Sequence, residues 1–412
     1  MTNPNVNVII LEHLKKRECA GIGRQARLRG VCGNAYGFKS RHSHQKVSTS
    51  VGTFFYFRTQ INTTQNCCDN MKTTTKKLIL LLMFILCSTL LFGCNSDTKN
   101  VTAQIFALDT VIDITAYGDK ADEAVSAAKA EIYRLERLLS VTDENSDICR
   151  INTSQGTAVE INEETYELIE KALKICNITE GNFDITMYNV IKLWGFTTGE
   201  YKVPEESEII NTLVSTGSDK ITLSENNRIT VYEGTTLDPG GIAKGYIADK
   251  AAKAMKEAGA QYGLISLGGN IRTVSEKPSG ELWKVGIRHP EENGYFLTIN
   301  TKESSVITSG AYQRNFTENG ITYHHIIDPA TGKPSQSDAV SVTVVGKDGA
   351  MCDGLSTALF IGGTEYADKM YRSVDVFEYV ILGKDNCVYA SEGLRGWLTL
   401  SDNYKDLKII YR

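Results

Sequence analysis

Histidine is scarce in this chain of 412 residues: there are six, and three of them fall in the first 70. Cys149, Cys176, Cys352 and Cys387, the cysteines of the chain's main body, show no CxxC spacing. A zinc site is therefore not expected there, and buried free thiols are the default; no pairing follows from sequence. The glycine clusters lack GxGxxG spacing, which argues against a dinucleotide-binding Rossmann unit. Internal repeats and long linkers are also missing, so one compact domain is the simplest organisation. With 42% hydrophobic and 23% charged residues, the composition matches neither a disordered chain nor a many-span membrane protein.

One apolar run stands out. Met71 is followed by Lys72, Lys76 and Lys77, and then by Leu78 to Gly93, short of the roughly 20 residues a spanning helix needs. This is the layout of an export signal, and its end, LLFGC, resembles a lipobox in which Cys94 becomes the lipidated first residue of the mature protein. The expected organisation is a non-native or disordered extension at 1–70, a lipoprotein signal peptide at 71–93, a lipidated cysteine and polar tether at 94–100, and a catalytic domain at 101–412. An export signal works at an N-terminus, so a start codon placed too far upstream is the expectation for 1–70. The lipid would hold the body on the outer face of the cell membrane.

Residues 1–70 carry ten basic and three acidic side chains without a motif. Setting these aside with the three signal lysines leaves 31 basic against 46 acidic residues, a net charge near −15. Such a body repels phosphate backbones, so nucleic acid is not an expected partner, and a polyphosphate ligand needs a metal or local donors.

Elements of both kinds follow without a regular βαβ period, which predicts an α+β fold with mixed or antiparallel sheets and packed helices. IFALDTVIDITAYG alternates as a half-buried strand does. ADEAVSAAKAEIYRLERLLS sets Ala124, Ala128, Ile132, Leu135 and Leu139 on one helical face, and EETYELIEKALKIC reads as a second helix. ITLSENNRITVY reads as two short strands about a polar turn, GIAKGYIADKAAKAMKEAG as a helix ended by Gly259, and MCDGLSTALFIGG as another helix.

Four segments carry candidate chemistry. TLDPGGIAKGYIAD ends a strand at Asp238 and opens a helix through a glycine turn; its exposed N–H groups and Lys244 suit phosphate, although glycines also serve tight turns. SLGGN is either a close backbone approach or a turn. TYHHIIDPATGKP puts His324 and His325 on opposite faces of a strand ending at Asp328, so one faces inward and a proton-transfer role competes with a structural one. CDGLSTAL sets Asp353 and Thr357 four apart on one helix face, oxygen donors that suit magnesium, while an Asp near a helix start also serves as a cap.

Together with LERLLSVTDENSDICRIN, GNFDITMYNVIKLWGF, WKVGIRHP and ITSGAYQRNF, these motifs in this order resemble the ApbE family of FAD:protein FMN transferases over about residues 103 to 400. The resemblance implies a compact, two-lobed, T-fold-like domain. It also implies magnesium-dependent cleavage of FAD at its pyrophosphate, with FMN joined to a threonine or serine hydroxyl of an acceptor, a flavin-carrier protein or redox-pump subunit, and AMP released. Carried over by motif, flavin contacts fall at Leu108, Asn182, Phe183, Asp184, Asp238, Lys244 and Ile327, and the metal set at Gly241, through its carbonyl, Asp353 and Thr357. His325 is the candidate base, with Asp328 beside it.

The sequence departs from the family at three places. Many relatives have methionine and glycine where Leu108 and Asp109 stand, many have an acid where Ala311 stands, and some place an aspartate at Ser356 as a further ligand. Two rival functions use the same residues: a metal-dependent FAD pyrophosphatase giving FMN and AMP, and a non-catalytic FAD-binding lipoprotein.

Overall fold

The structure is a computed structural model that describes residues 99–412 except 291, 313 and 375. Cys94, the signal and the extension at 1–70 lie outside the described residues. Nine strands form the main sheet: β1 (Asn100–Ala107), β2 (Thr110–Tyr117), β3 (Tyr262–Leu267), β4 (Asn270–Val274), β5 (Ser305–Gly310), β6 (Ala339–Gly346), β7 (Phe377–Gly383), β8 (Cys387–Ala390) and β9 (Lys408–Tyr411). They lie side by side in chain order. Every neighbouring pair is antiparallel except β8 and β9.

Four long helices accompany the sheet: α1 (Ala121–Leu139), α2 (Glu163–Ile178), α3 (Ala243–Glu257) and α4 (Gly349–Ser373). The face read from sequence for α1, Ala124, Ala128, Ile132, Leu135 and Leu139, is buried as its spacing predicts. It packs with Ile112, Ile114 and Ala116 of β2 and with Ala248, Ala251 and Met255 of α3 in one core. Truncating one of these, Leu135→Ala for example, would cost about 2–5 kcal/mol. The opposite sheet face, with Leu264, Val306 and Val345, is covered by a three-stranded sheet that supplies Trp283, Phe296 and Ile299. Helices on one face and strands on the other give the α+β arrangement that the irregular order of elements predicts.

Three readings of single elements need correction. IFALDTVIDITAYG is not one strand but the hairpin β1–β2, whose turn residues Leu108 and Asp109 both have positive φ, 53° and 55°. A two-residue turn leaves the alternation in phase on both sides, so periodicity alone does not reveal it. TYHHIID is likewise divided. Ile321–His324 pairs with Asn315–Glu318, and Ile327–Asp328 then changes partner to Lys333–Pro334. The helix begun at CDGLSTAL continues to Ser373, broken at Gly363 (φ 78°), where Asp338 takes the amide and hydroxyl of Thr364 as a fresh cap. The four cysteines among the described residues are free; Cys176 and Cys352 are buried, Cys149 and Cys387 partly so. Among the described residues no helix is long and apolar enough to cross a membrane.

Candidate active site

The glycine turn before α3 is held from behind. The Asn152 side chain donates to the Leu237 carbonyl (2.9 Å) and accepts from its amide (2.6 Å), while the Asp238 amide donates to the Ile185 carbonyl at 2.7 Å. Asp238 then turns its carboxylate onto the Gly240 amide at 2.8 Å, and Pro239 starts a short 3-10 turn that delivers Gly241 to the mouth of α3. Burial pushes the Asp238 carboxyl up from its ordinary value, opposed by the Gly240 amide and by Lys244 and Arg314.

α4 meets this turn side-on. Asp353 is buried, and its carboxylate accepts from the Gly245 amide (2.9 Å) and from the Asn270 side chain (3.2 Å). Burial raises its pKa, and Lys244 is the first of the groups that oppose the rise. A methyl group placed on Gly241 would lie 3.7 Å from the Thr357 hydroxyl oxygen, so the three sequence-assigned metal positions are neighbours. Phe183 fills the space under them, packed against Gly241 and Gly354 and itself buried.

The donor set fits a hard divalent cation: one carboxylate, one hydroxyl and one backbone carbonyl, all oxygen. No three His, Cys, Asp or Glu side chains converge on a common point among the described residues. The protein thus offers a single carboxylate, as magnesium sites completed by water and substrate phosphates do. Ser356 is turned away from this duty. Its hydroxyl donates to the Asp353 carbonyl at 2.8 Å and shares a 2.7 Å hydrogen bond with Ser309.

His325, just past the strand Ile321–His324, is half-buried. Its ring Nδ1 is 3.2 Å from the Arg314 carbonyl, an oxygen that can only accept, so in the neutral ring Nδ1 carries the hydrogen and Nε2 the lone pair. Burial lowers the imidazole pKa to about 4, helped by the nearby charges of Lys244 and Arg314 and opposed by that carbonyl. His325 is accordingly an unprotonated base at neutral pH. His324 faces the other way. It is buried edge-on against Phe360, with Nε2 donating to the Ser335 carbonyl at 3.1 Å.

Lys244 therefore lies in the electrostatic reach of Asp238, Asp353 and His325 together. The hairpin turn at Leu108 joins the same neighbourhood through an ion pair between Asp109 and Arg314 at 3.9 Å. A leucine in the left-handed region is strained by about 1–2 kcal/mol. Here the Leu108 amide is fastened to Glu136 of α1 at 2.6 Å, which holds the strained turn in place.

Other sequence-assigned residues take supporting places. Asp328 closes its own turn, accepting from the Ala330 amide (2.9 Å) and the Thr331 hydroxyl (3.2 Å), so its carboxylate shapes the loop after His325 and does not touch the imidazole's proton. Ile327 is buried with Trp194 and Phe196. Asp184 holds the Thr186 amide and hydroxyl at 2.8 and 2.7 Å. Asn182 lies beside Tyr366 at the end of α2. Sequence reasoning missed Asn152, Asn270, Arg314 and Glu136. All four lie in segments that resemble the family, Asn270 at the end of SLGGN, Glu136 and Asn152 in LERLLSVTDENSDICRIN and Arg314 in ITSGAYQRNF, but no local spacing announces the contacts that each makes.

A profile of the ApbE family matches residues 108–381. The chain is 30% identical over 311 residues to the FAD:protein FMN transferase of Haemophilus influenzae, spanning 72% of this chain and 88% of that one. It is 29% identical over 333 residues to the protein of the same name from Treponema pallidum, spanning 75% and 92%. Among solved structures, the ApbE protein of Thermotoga maritima shares 31% identity and superposes with a TM-score of 0.69 over 73% of this chain and 99% of that one.

Proposed function

The chain belongs to the ApbE family, and on that premise we propose that it is an enzyme that moves the FMN half of FAD onto a hydroxyl of another protein, releasing AMP. The relatives named FAD:protein FMN transferase support the flavin transfer. The observation that carries the finer reading is that Lys244 acts electrostatically on two kinds of group: the oxygen donors of α4 and the turn before α3, and a neutral imidazole at the end of the hairpin strand Ile321–His324.

The pyrophosphate of FAD would lie against the glycine turn and the Lys244 ammonium, in a body too acidic to hold it otherwise. Gly241, Asp353 and Thr357 would hold magnesium, which when bound neutralises the pyrophosphate and the charge that develops on the departing AMP. The acceptor's threonine or serine oxygen attacks the FMN phosphorus as the bond from that phosphorus to the AMP oxygen breaks. His325 Nε2 takes the hydroxyl proton, and Arg314 fixes the tautomer that makes this possible. Water in place of the acceptor would give FMN and AMP by hydrolysis through the same groups.

Attachment through a lipid on Cys94 belongs to the proposal too, supported by the sequence layout from Met71 to Cys94, and would place the chemistry on the outer face of the membrane. The test is to incubate the purified protein with FAD, magnesium and a candidate flavin-carrier domain. The carrier should gain the mass of one FMN on a threonine or serine. A carrier of unchanged mass, with FAD left intact, would overturn the proposal.

A further inference from the structure

α3, with the turn leading into it, and α4 run past each other in opposite senses, and their contacts repeat at one residue per turn. Gly241 stands beside Thr357. The Gly245 amide donates to Asp353 Oδ2 at 2.9 Å. Asp249 Oδ2 accepts from the Gly349 amide at 2.6 Å. Each step of four residues up one helix is a step of four down the other, so the three pairs form an antiparallel ladder with a single register. Two rungs carry the oxygen donors assigned to magnesium. The third, Asp249–Gly349, lies one helical turn further along.

The backbones touch between the second and third rungs. A methyl group on Gly245 would collide with the Gly349 carbonyl, and one on Gly349 would press on the Gly245 carbonyl and the Ser305 hydroxyl. Glycine contact of this kind brings the helices close without side chains to key their register, which falls to the bonds at the rungs. Asp348 caps α4 through the Met351 amide and is braced by Lys171 at 2.6 Å, but both groups lie off α3. The side chain that crosses from α3 to the first amide of α4 is that of Asp249, which Arg272 steadies from 2.8 Å as an ion pair without hydrogen-bond alignment.

We propose that Asp249 is a positioning residue: by accepting the Gly349 amide it sets the register of α4 on α3, and so brings Asp353 and Thr357 level with Gly241 to hold a divalent cation. This rests on the reading of those three residues as the cation's donors. The register depends on the reach of the side chain, because the contact with α4 is to a backbone N–H, while its charge serves the pair with Arg272.

The test titrates Mn²⁺ into the full-length protein, without FAD or acceptor, follows free Mn²⁺ by electron paramagnetic resonance, and displaces it with Mg²⁺. Asp249→Asn keeps an oxygen at the same reach for the Gly349 amide but gives up the ion pair with Arg272, and should weaken binding by less than Asp249→Glu does. Asp249→Glu keeps the charge but is one methylene too long, and with Asp249→Ala should lose about 10–100-fold, the usual effect of removing an outer-shell support. FAD affinity without metal should hold in all three. If Asp249→Glu binds like the unaltered protein, or Asp249→Asn loses as much as Asp249→Glu, the register role is overturned, and this pair decides the matter even if the alanine variant does not fold. Absence of Mn²⁺ binding to the unaltered protein would overturn the cation reading itself, and this proposal with it.

Discussion

On one side of Lys244 the site is made by two helices, α3 and α4, whose glycines bring backbone against backbone and whose donors are spaced by four residues. On the other side it is made by turns: the strained pair Leu108 and Asp109, Arg314, and His325 just past the end of a short hairpin. The helical side is rigid and suited to holding a fixed charge. The loop side is partly exposed, and there a proton can be passed to a group presented from outside. Precision of metal geometry calls for packed elements, and access for a protein hydroxyl calls for loops on the surface.

Breaking the helical side should have the largest effect. Asp353→Ala removes the carboxylate of the donor set and is expected to lower transfer about ten-thousandfold, several kcal/mol of transition-state stabilisation, and, by leaving the buried Gly245 amide and Asn270 side chain without their acceptor, to cost about 1–3 kcal/mol of fold stability as well. Magnesium-dependent turnover at the unaltered rate in that variant would remove the helical side from the account. His325→Ala tests the loop side. Transfer should fall about a hundred- to ten-thousandfold while FAD and the cation still bind, and His324→Ala should lose packing stability but far less rate. The opposite ranking of the two histidines would mean that the inward-facing imidazole is the base.

The pH profile sharpens the same contrast with a smaller effect. Because burial holds His325 at about 4, the imidazole is neutral above that value and gains its proton only as the pH falls through it. The acid limb of kcat/KM for FAD should therefore lie near pH 4, not near the ordinary histidine value of about 6.5. A limb at the ordinary value, lost in His325→Ala, would show that the buried, unprotonated state described for this ring is wrong. Smallest of all, Cys94→Ser should abolish lipid attachment and leave the flavin chemistry of the body unchanged. Lipid labelling of the precursor checks the first part, and survival of the label on the variant would contradict it.

The two sides also differed in how far they could be read from sequence. On the helices, the spacing of Asp353 and Thr357 and the glycine turn before Lys244 announced a shared face, because a helix turns four-residue spacing into proximity. The buried stripe of α1 was legible for the same reason. The turn at Leu108 and Asp109 was not, since Leu108 is a residue that avoids the left-handed region, a lone Asp109 beside it is a weak turn signal, and the alternation runs straight through it. Asn152 and Glu136 do their work on residues distant in the chain, through contacts that exist only once the fold has brought them together, and Arg314 meets His325 only across the short hairpin between them. Asp328 was legible as a turn residue and as a neighbour of His325, and only the hydrogen bonds decide that its carboxylate serves the turn.

In the proposed mechanism both sides act on one reaction, in which the hydroxyl of a protein, not water, receives the FMN phosphorus. It is tested most directly by counting, in one reaction mixture of enzyme, FAD, magnesium and carrier domain, the AMP released and the flavin covalently attached. Transfer predicts equal amounts, with AMP release falling sharply when the acceptor threonine or serine of the carrier is replaced by alanine. AMP released at the same rate with no flavin attached would contradict the claim and leave a pyrophosphatase.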